Sequence, residues 1–238
     1  MKRPWGSTMG LSKRQTRVKA VLFDLGGTLI YTTEIPQVYR KILEVHGFKR
    51  SIEEISHAQQ ETERDLDIQN LAVLFEEYWI RWNMQILRRL GIKENMRGLA
   101  ETIAERWWDY SKVELYPEVV ETLQQLRSMG LKIGIVTNGL KSDYKEILRK
   151  VGLLDSFDVM VGVDTVGKMK PQKEIFLYAL SKLEVSPSEA VFVGDQVRED
   201  YEGARRAGLR PLLIDRNNLL SGDVESVGSL GEVKNYLT

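Results

Sequence analysis

Four short stretches of this chain carry residues that could do chemistry together. The first is Asp24-Leu25-Gly26-Gly27-Thr28-Leu29, directly after the apolar run Val21-Leu22-Phe23. A carboxylate at the tip of a buried strand, followed by a glycine turn, is well placed to be a nucleophile that a ligand can approach closely. Thr137-Asn138-Gly139 follows a second apolar run, and Lys168-Met169-Lys170-Pro171 precedes a helical pattern. Val191-Phe192-Val193-Gly194-Asp195 ends another strand pattern, with Asp200 five residues on. Taken singly, each has an ordinary explanation: a strand-end Asp caps or turns the chain, Thr-Asn-Gly is a turn, and a lone lysine is solvated. Asp200 alone could favour a helix dipole. Order and spacing together point to one shared site.

Open α/β sheets bind ligands at the carboxyl ends of their strands. Asp24, Thr28, Thr137, Asp195 and Asp200 are therefore expected to converge with Lys170. Three carboxylates in one cleft repel strongly at low dielectric, and one lysine does not balance them. An oxygen-seeking dication, Mg²⁺, is the economical answer. Carboxylates, a metal, a lysine, a hydroxyl and strand-end amides suit a transferring phosphoryl group. The carboxylate can attack phosphorus and form an aspartyl-phosphate.

The elements that must hold these residues are legible as short β-rich runs at Val18–Leu25, Leu131–Thr137, Phe157–Val163, Ala190–Gly194 and Arg210–Asp215. Helical periodicity covers Glu118–Met129, Asp143–Val151, Lys173–Leu183 and Glu199–Ala207, with Gly130, Gly152 and Gly208 at the stops. Alternating strand and helix predicts an α/β fold with a doubly wound, mostly parallel sheet. From Tyr31 to Glu114 no strand signal is read. Ile35–His46, Ile52–Leu66, Leu71–Leu90 and Met96–Tyr110 read as helices of an all-α insert. Its aromatics, Trp79, Trp82, Trp107, Trp108 and Tyr110, are expected to form the insert's own core. The division expected is a basic arm at 1–17, the α/β core at 18–30 and 115–238, and the helical insert at 31–114.

The bulk composition excludes several functions. Lys+Arg and Asp+Glu both number 34 in 238 residues, so no net field favours nucleic acid or a membrane surface. There is no cysteine, which removes disulfides, thiolate catalysis and Cys-ligated metals. His46 and His57 fall in no zinc pattern. No run approaches the roughly 20 apolar residues that span a bilayer. Residues 1–19 are basic but lack the apolar stretch of a signal peptide, and Met9 is an alternative start. A cytoplasmic enzyme acting on a small molecule is expected. The oligomeric state is not legible. Gly162-Val163-Asp164-Thr165-Val166-Gly167-Lys168-Met169 nearly matches a P-loop, but Met169 replaces the metal-binding hydroxyl and Pro171 follows too closely.

The four stretches resemble those of the haloacid dehalogenase (HAD) superfamily: DxDx[TV], a strand-end hydroxyl, a lysine, and GDxxxxD. They read here as Asp24 to Thr28, Thr137, Lys170, and Gly194-Asp195 to Asp200. The insert is similar to that superfamily's type-1 helical cap, on a Rossmann-like core. The resemblance implies a phosphatase-like hydrolase with Asp24 as nucleophile, and with Asp24, Asp195 and the Gly26 carbonyl as Mg²⁺ ligands. Asp200 is implied as a ligand or its support. Thr137 and the Asn138 amide are implied to hold the phosphoryl oxygens of a small phosphorylated substrate, and Lys170 to neutralise nucleophile and phosphate.

Gly26 is the departure. The resemblance implies a second Asp there, which protonates the leaving oxygen and then activates water; general acid–base catalysis of this kind is worth about 10²–10⁴-fold. Four readings follow: a phosphatase whose substrate leaves easily or whose acid comes from the insert, such as Glu34; a 2-haloacid dehalogenase; a phosphonatase-like enzyme with Lys41 or Lys49 as Schiff base; and a catalytically weak phospho-ligand binder or regulatory protein. Tyr31, Thr32 and Thr33 are candidate cleft residues.

Overall fold

The structure, a computed structural model, describes residues 17–65, 75–219 and 224–237. The chain runs β1 (Ala20–Phe23), β2 (Ile30–Thr32), α1 (Ile35–Val45), α2 (Ile52–Asp65), α3 (Phe75–Arg89), α4 (Met96–Tyr110) and β3 (Val113–Leu115). It continues α5 (Val119–Ser128), β4 (Lys132–Val136), α6 (Lys141–Lys150), β5 (Val159–Val161), α7 (Val163–Val166), α8 (Lys173–Leu183) and β6 (Ala190–Gly194). A wide π-helical turn, Val197–Glu202, leads into α9 (Gly203–Arg206), then β7 (Arg210–Ile214), β8 (Ser226–Val227) and a closing 3₁₀ segment, Leu230–Tyr236. The expected arm, and the helix ends expected at Leu66 and Leu71, lie outside the described residues, Arg17 excepted.

The six-stranded sheet has the order β5-β4-β1-β6-β7-β8, and every pairing in it is parallel. Alternation along each strand explains why it is covered on both faces. Val21, Phe23, Ile133, Ile135, Val191 and Val193 turn into one layer with α5 and α6. Ala20, Leu22, Val136, Ala190 and Phe192 turn into the other with α8 and α9. Strand order departs from β1 in both directions, so the carboxyl end of β1 opens at the switch point between β4 and β6.

Helices α1–α4 bury a cluster of their own, including Tyr39, Ile42, Ile55, Trp82, Ile86 and Ile103. Each such side chain contributes about 1.5–3 kcal/mol on burial. Trp79, Trp107 and Tyr110 pack against that cluster as expected, but Trp108 packs instead against the sheet's core. A second correction concerns the interval read as strand-free. Ile30–Thr32 pairs antiparallel with Val113–Leu115, a two-stranded ribbon joining the helices to the sheet domain. Each strand is only three residues long, too short for a period to register. Among the described residues no helix is long and apolar enough to cross a membrane.

Candidate active site

Asp24 continues the β1 ladder by one residue, its N–H donating to the Val193 carbonyl at 2.9 Å. Its side chain emerges at the strand tip beside Lys170, whose Nζ lies 2.5 Å from Asp24 Oδ1 and 2.6 Å from Asp200 Oδ1. All three side chains are buried. Phe192 places its ring 5.4 Å below the ammonium. The loop carrying Lys170 is pinned by Asn138. The Asn138 side-chain oxygen accepts the Lys170 N–H at 2.7 Å, and its amide nitrogen donates to the Lys170 carbonyl at 3.2 Å. Asn138 therefore supports the lysine through its side chain, a role that its place in a turn did not announce.

Asp200 is committed on both oxygens. Besides the lysine, its Oδ2 accepts the N–H groups of Asp195 and Gln196, each at 3.0 Å. The π-helical turn brings it back over the end of β6, a widening typical of functional sites. Gly194 is required there, because a Cβ would sit 2.3 Å from the Asp200 carboxyl. Gly27 is required twice over, by a φ of +76° and by Asp195 Oδ2 lying 2.4 Å from where a Cβ would stand. Asp195 itself is held by Gln196 Nε2, 2.8 Å from Oδ2, and by a longer contact from the Thr28 hydroxyl, 3.5 Å from Oδ1.

One carboxylate oxygen from each of Asp24, Asp195 and Asp200 falls within 4.8 Å of the others. The electrostatics follow from that crowding. Burial pushes Asp24 up from 3.8 to about 7; Lys170 opposes the rise, while Asp200 and Asp195 add to it. Burial, then Asp200, also raises Asp195. Burial works against the Lys170 ammonium, but Asp200 and Asp24 outweigh it and hold the amine above its ordinary range. The site still carries more negative charge than its one lysine balances. All-oxygen donors and a charge deficit fit a hard dication such as Mg²⁺.

Thr137 ends β4, next to β1, and its hydroxyl oxygen accepts the Gly139 N–H at 3.1 Å. Gly26 is exposed, Leu25 having turned into the core, and nothing stands within 4 Å of where its Cβ would be. Glu34 is turned toward its own helix, accepting from Gln37 Nε2 at 3.3 Å. Tyr31 and Thr33 bind across the ribbon: Tyr31 donates to Glu114, and Thr33 Oγ1 accepts the Lys112 N–H at 3.0 Å.

Arg216, two residues beyond β7, is a strand-end residue that sequence reading passed over. It donates through Nη2 to the Thr28 carbonyl at 3.0 Å, pairs with Glu118, and stacks 3.5 Å over the Tyr116 ring. Tyr116 in turn packs 5.1 Å from Tyr31 of the ribbon. The nucleophile loop is thus tied to the connection that carries the helices.

Residues 18–208 match the haloacid dehalogenase-like hydrolase family. The chain is 33% identical over 203 residues to a glyceraldehyde 3-phosphate phosphatase of Methanopyrus kandleri, covering 84% of each protein. It is 36% identical over 148 residues to a phosphoserine phosphatase of Thermus thermophilus, 60% of this chain and 58% of that one. Among solved structures, the HAD phosphatase of Thermococcus onnurineus superposes with a TM-score of 0.65 at 31% identity, over 92% of this chain and 98% of the other. The parallel sheet, the charged cluster at its switch point and these matches agree, and the chain belongs to the haloacid dehalogenase-like hydrolases.

Proposed function

We propose that this protein is a cytoplasmic, Mg²⁺-dependent phosphatase of a small phosphorylated metabolite, working through an aspartyl-phosphate on Asp24. The observation that carries the reading is the buried cluster in which Lys170 bridges Asp24 and Asp200 while Asp195 stands beside them. The relatives named as phosphatases of glyceraldehyde 3-phosphate and phosphoserine support the substrate class.

In this reading Asp24, Asp195 and the Gly26 carbonyl hold the metal. Asp200, whose oxygens are already engaged by Lys170 and two backbone N–H groups, steadies the set. Bound Mg²⁺ supplies charge neutralisation for the carboxylates and the phosphoryl oxygens. Lys170 favours the ionised form of Asp24 and aims it, and Thr137 with the Asn138 backbone amide receives the phosphoryl oxygens. The attacking Asp24 oxygen forms a bond to phosphorus as the ester oxygen leaves. Water then releases phosphate and restores the carboxylate. Helices α1–α4, as a type-1 cap at 31–114, close over the site, exclude water and select the substrate.

A panel of phosphate compounds assayed with Mg²⁺ and with EDTA tests the reading. Turnover is expected only with metal, with ³²P trapped on the acid-quenched parent protein, and a loss of at least about 10³-fold in Asp24→Asn. Chloride release from a 2-haloacid that persists in EDTA would instead assign a dehalogenase.

A further inference from the structure

Among the described residues, no side chain beside Asp24 is free to hand a proton to a departing oxygen. Lys170 and Asp200 pair beside Asp24, with a carboxylate oxygen of Asp195 within 4.8 Å of theirs. Lys170 is bound by two carboxylates, Asp200 is engaged on both oxygens, and Asp195 accepts from Gln196 and Thr28. Gly26, two residues on, ends at its Cα, with nothing within 4 Å of where a Cβ would stand. Glu34 is engaged within α1's first turn, and Tyr31 donates to Glu114. His46 closes α1, and His57 lies on α2, largely exposed and facing Glu61.

We propose that the preferred substrates carry phosphate on an acidic oxygen, with acyl phosphates as the metabolite class, because their leaving group departs without a proton. The proposal rests on the phosphatase reading and narrows its substrate. In the first step an Asp24 oxygen bonds to phosphorus, and the bond to the leaving oxygen breaks, its electron pair going with that oxygen. A carboxylate, with a pKa of about 4, is stable as the free anion. An alkoxide is not, and an alkyl phosphate therefore waits for an acid that the described residues do not supply. In the second step water bonds to phosphorus, Asp24 leaves with the electron pair, and the water proton passes to a phosphate oxygen or to solvent. The aspartyl-phosphate is itself an acyl phosphate, so its cleavage needs no acid either. With no carboxylate to activate the water, this second step limits turnover for the fast substrates.

The experiment is a series of aryl phosphates of graded phenol pKa, with acetyl phosphate at one end and phosphoserine and glyceraldehyde 3-phosphate at the other. It is read as kcat/KM, which reports the first step alone. A steep fall with leaving-group pKa is expected, with a burst of about one phenol per active site for the most acidic members. Gly26→Asp, which the open space and ordinary backbone accommodate, is expected to raise kcat/KM for the alkyl phosphates by at least about 10²-fold. A flat dependence in the parent overturns the substrate class and leaves the phosphatase standing. Absence of both turnover and trapped phosphoenzyme across the series removes the phosphatase reading and this proposal with it. The parent series decides the matter even should Gly26→Asp fail to fold.

Discussion

The helical bundle and the sheet end each bury polar groups, and the contrast between them separates structure from chemistry. In the bundle, Tyr39 donates to Asn83 Oδ1, and Asn83 Nδ2 donates to the Ala100 carbonyl at 2.9 Å. Every member is neutral, and burial holds the Tyr39 phenol well above its ordinary range. Among the described residues the bundle's charges stay at or near the surface, as in Arg97 with Glu77 and Glu101, where such pairs contribute about 0–1 kcal/mol. At the sheet end the same degree of burial holds Asp24, Asp200 and Lys170, with Asp195 half-buried alongside. That set is not neutral, and it has oxygens left over. A satisfied network specifies packing; an unbalanced one waits for a ligand.

The largest test of this contrast is Lys170→Met. Removing one partner of a buried ion pair leaves uncompensated charge, at a cost of about 3–5 kcal/mol. Urea denaturation of the metal-free variant at pH 8 should show a loss of that size, with activity gone. At pH 5 the loss should shrink, because Asp24 then takes up a proton in place of the ammonium. A variant as stable as the parent at pH 8 would mean that the cluster is not charge-frustrated.

Asp24 gives the next largest effect. Its folded value is raised to about 7 from 3.8, so the folded protein keeps a proton that the unfolded chain releases. The stabilisation is full below about 4 and is lost as pH climbs through 7. Metal-free parent protein should therefore lose Tm between pH 5 and pH 8. Asp24→Asn should flatten that slope and be the more stable protein at pH 8. Mg²⁺ at 100 times its Kd should return about 2.7 kcal/mol to the parent and much less to the variant. A parent whose Tm rises over that range, or a variant with an unchanged slope, contradicts the assignment.

How far the two regions were legible differs for physical reasons. The strands of the sheet, buried on both faces, are runs of Val, Ile, Leu and Phe, and the residues after them, Asp24, Thr137 and Asp195, stand out by chemistry. The structure brings Asp24, Asp195 and Asp200 together with Lys170 as their spacing implied. The ribbon was invisible because Tyr31 and Glu114 pair across 83 positions with three residues a side. The Glu199–Ala207 helix opens instead as a π-helical turn, because Asp200 is drawn back to the amides of Asp195 and Gln196. Arg216 belongs to no motif; only its place after β7 hinted at it. Trp108 shares the spacing of the bundle aromatics, but sits at the end of α4 where the helix meets the sheet, and Lys150 donates to its carbonyl at 3.4 Å.

The smallest test belongs to the bundle. Asn83→Ala leaves the buried Tyr39 hydroxyl without its acceptor, while the Ala100 carbonyl remains within α4. An unsatisfied buried hydroxyl costs about 1–3 kcal/mol, and the loss should appear as a lower urea midpoint with kcat unchanged. Adding Tyr39→Phe to an Asn83→Leu background should recover most of that loss, since paired apolar replacements leave nothing unsatisfied. Recovery without a change in kcat would fix this network as packing. If Asn83→Ala lowered kcat at saturating substrate while the urea midpoint held, the bundle's polar pair would belong with the sheet-end cluster, and the division between the two regions would fail.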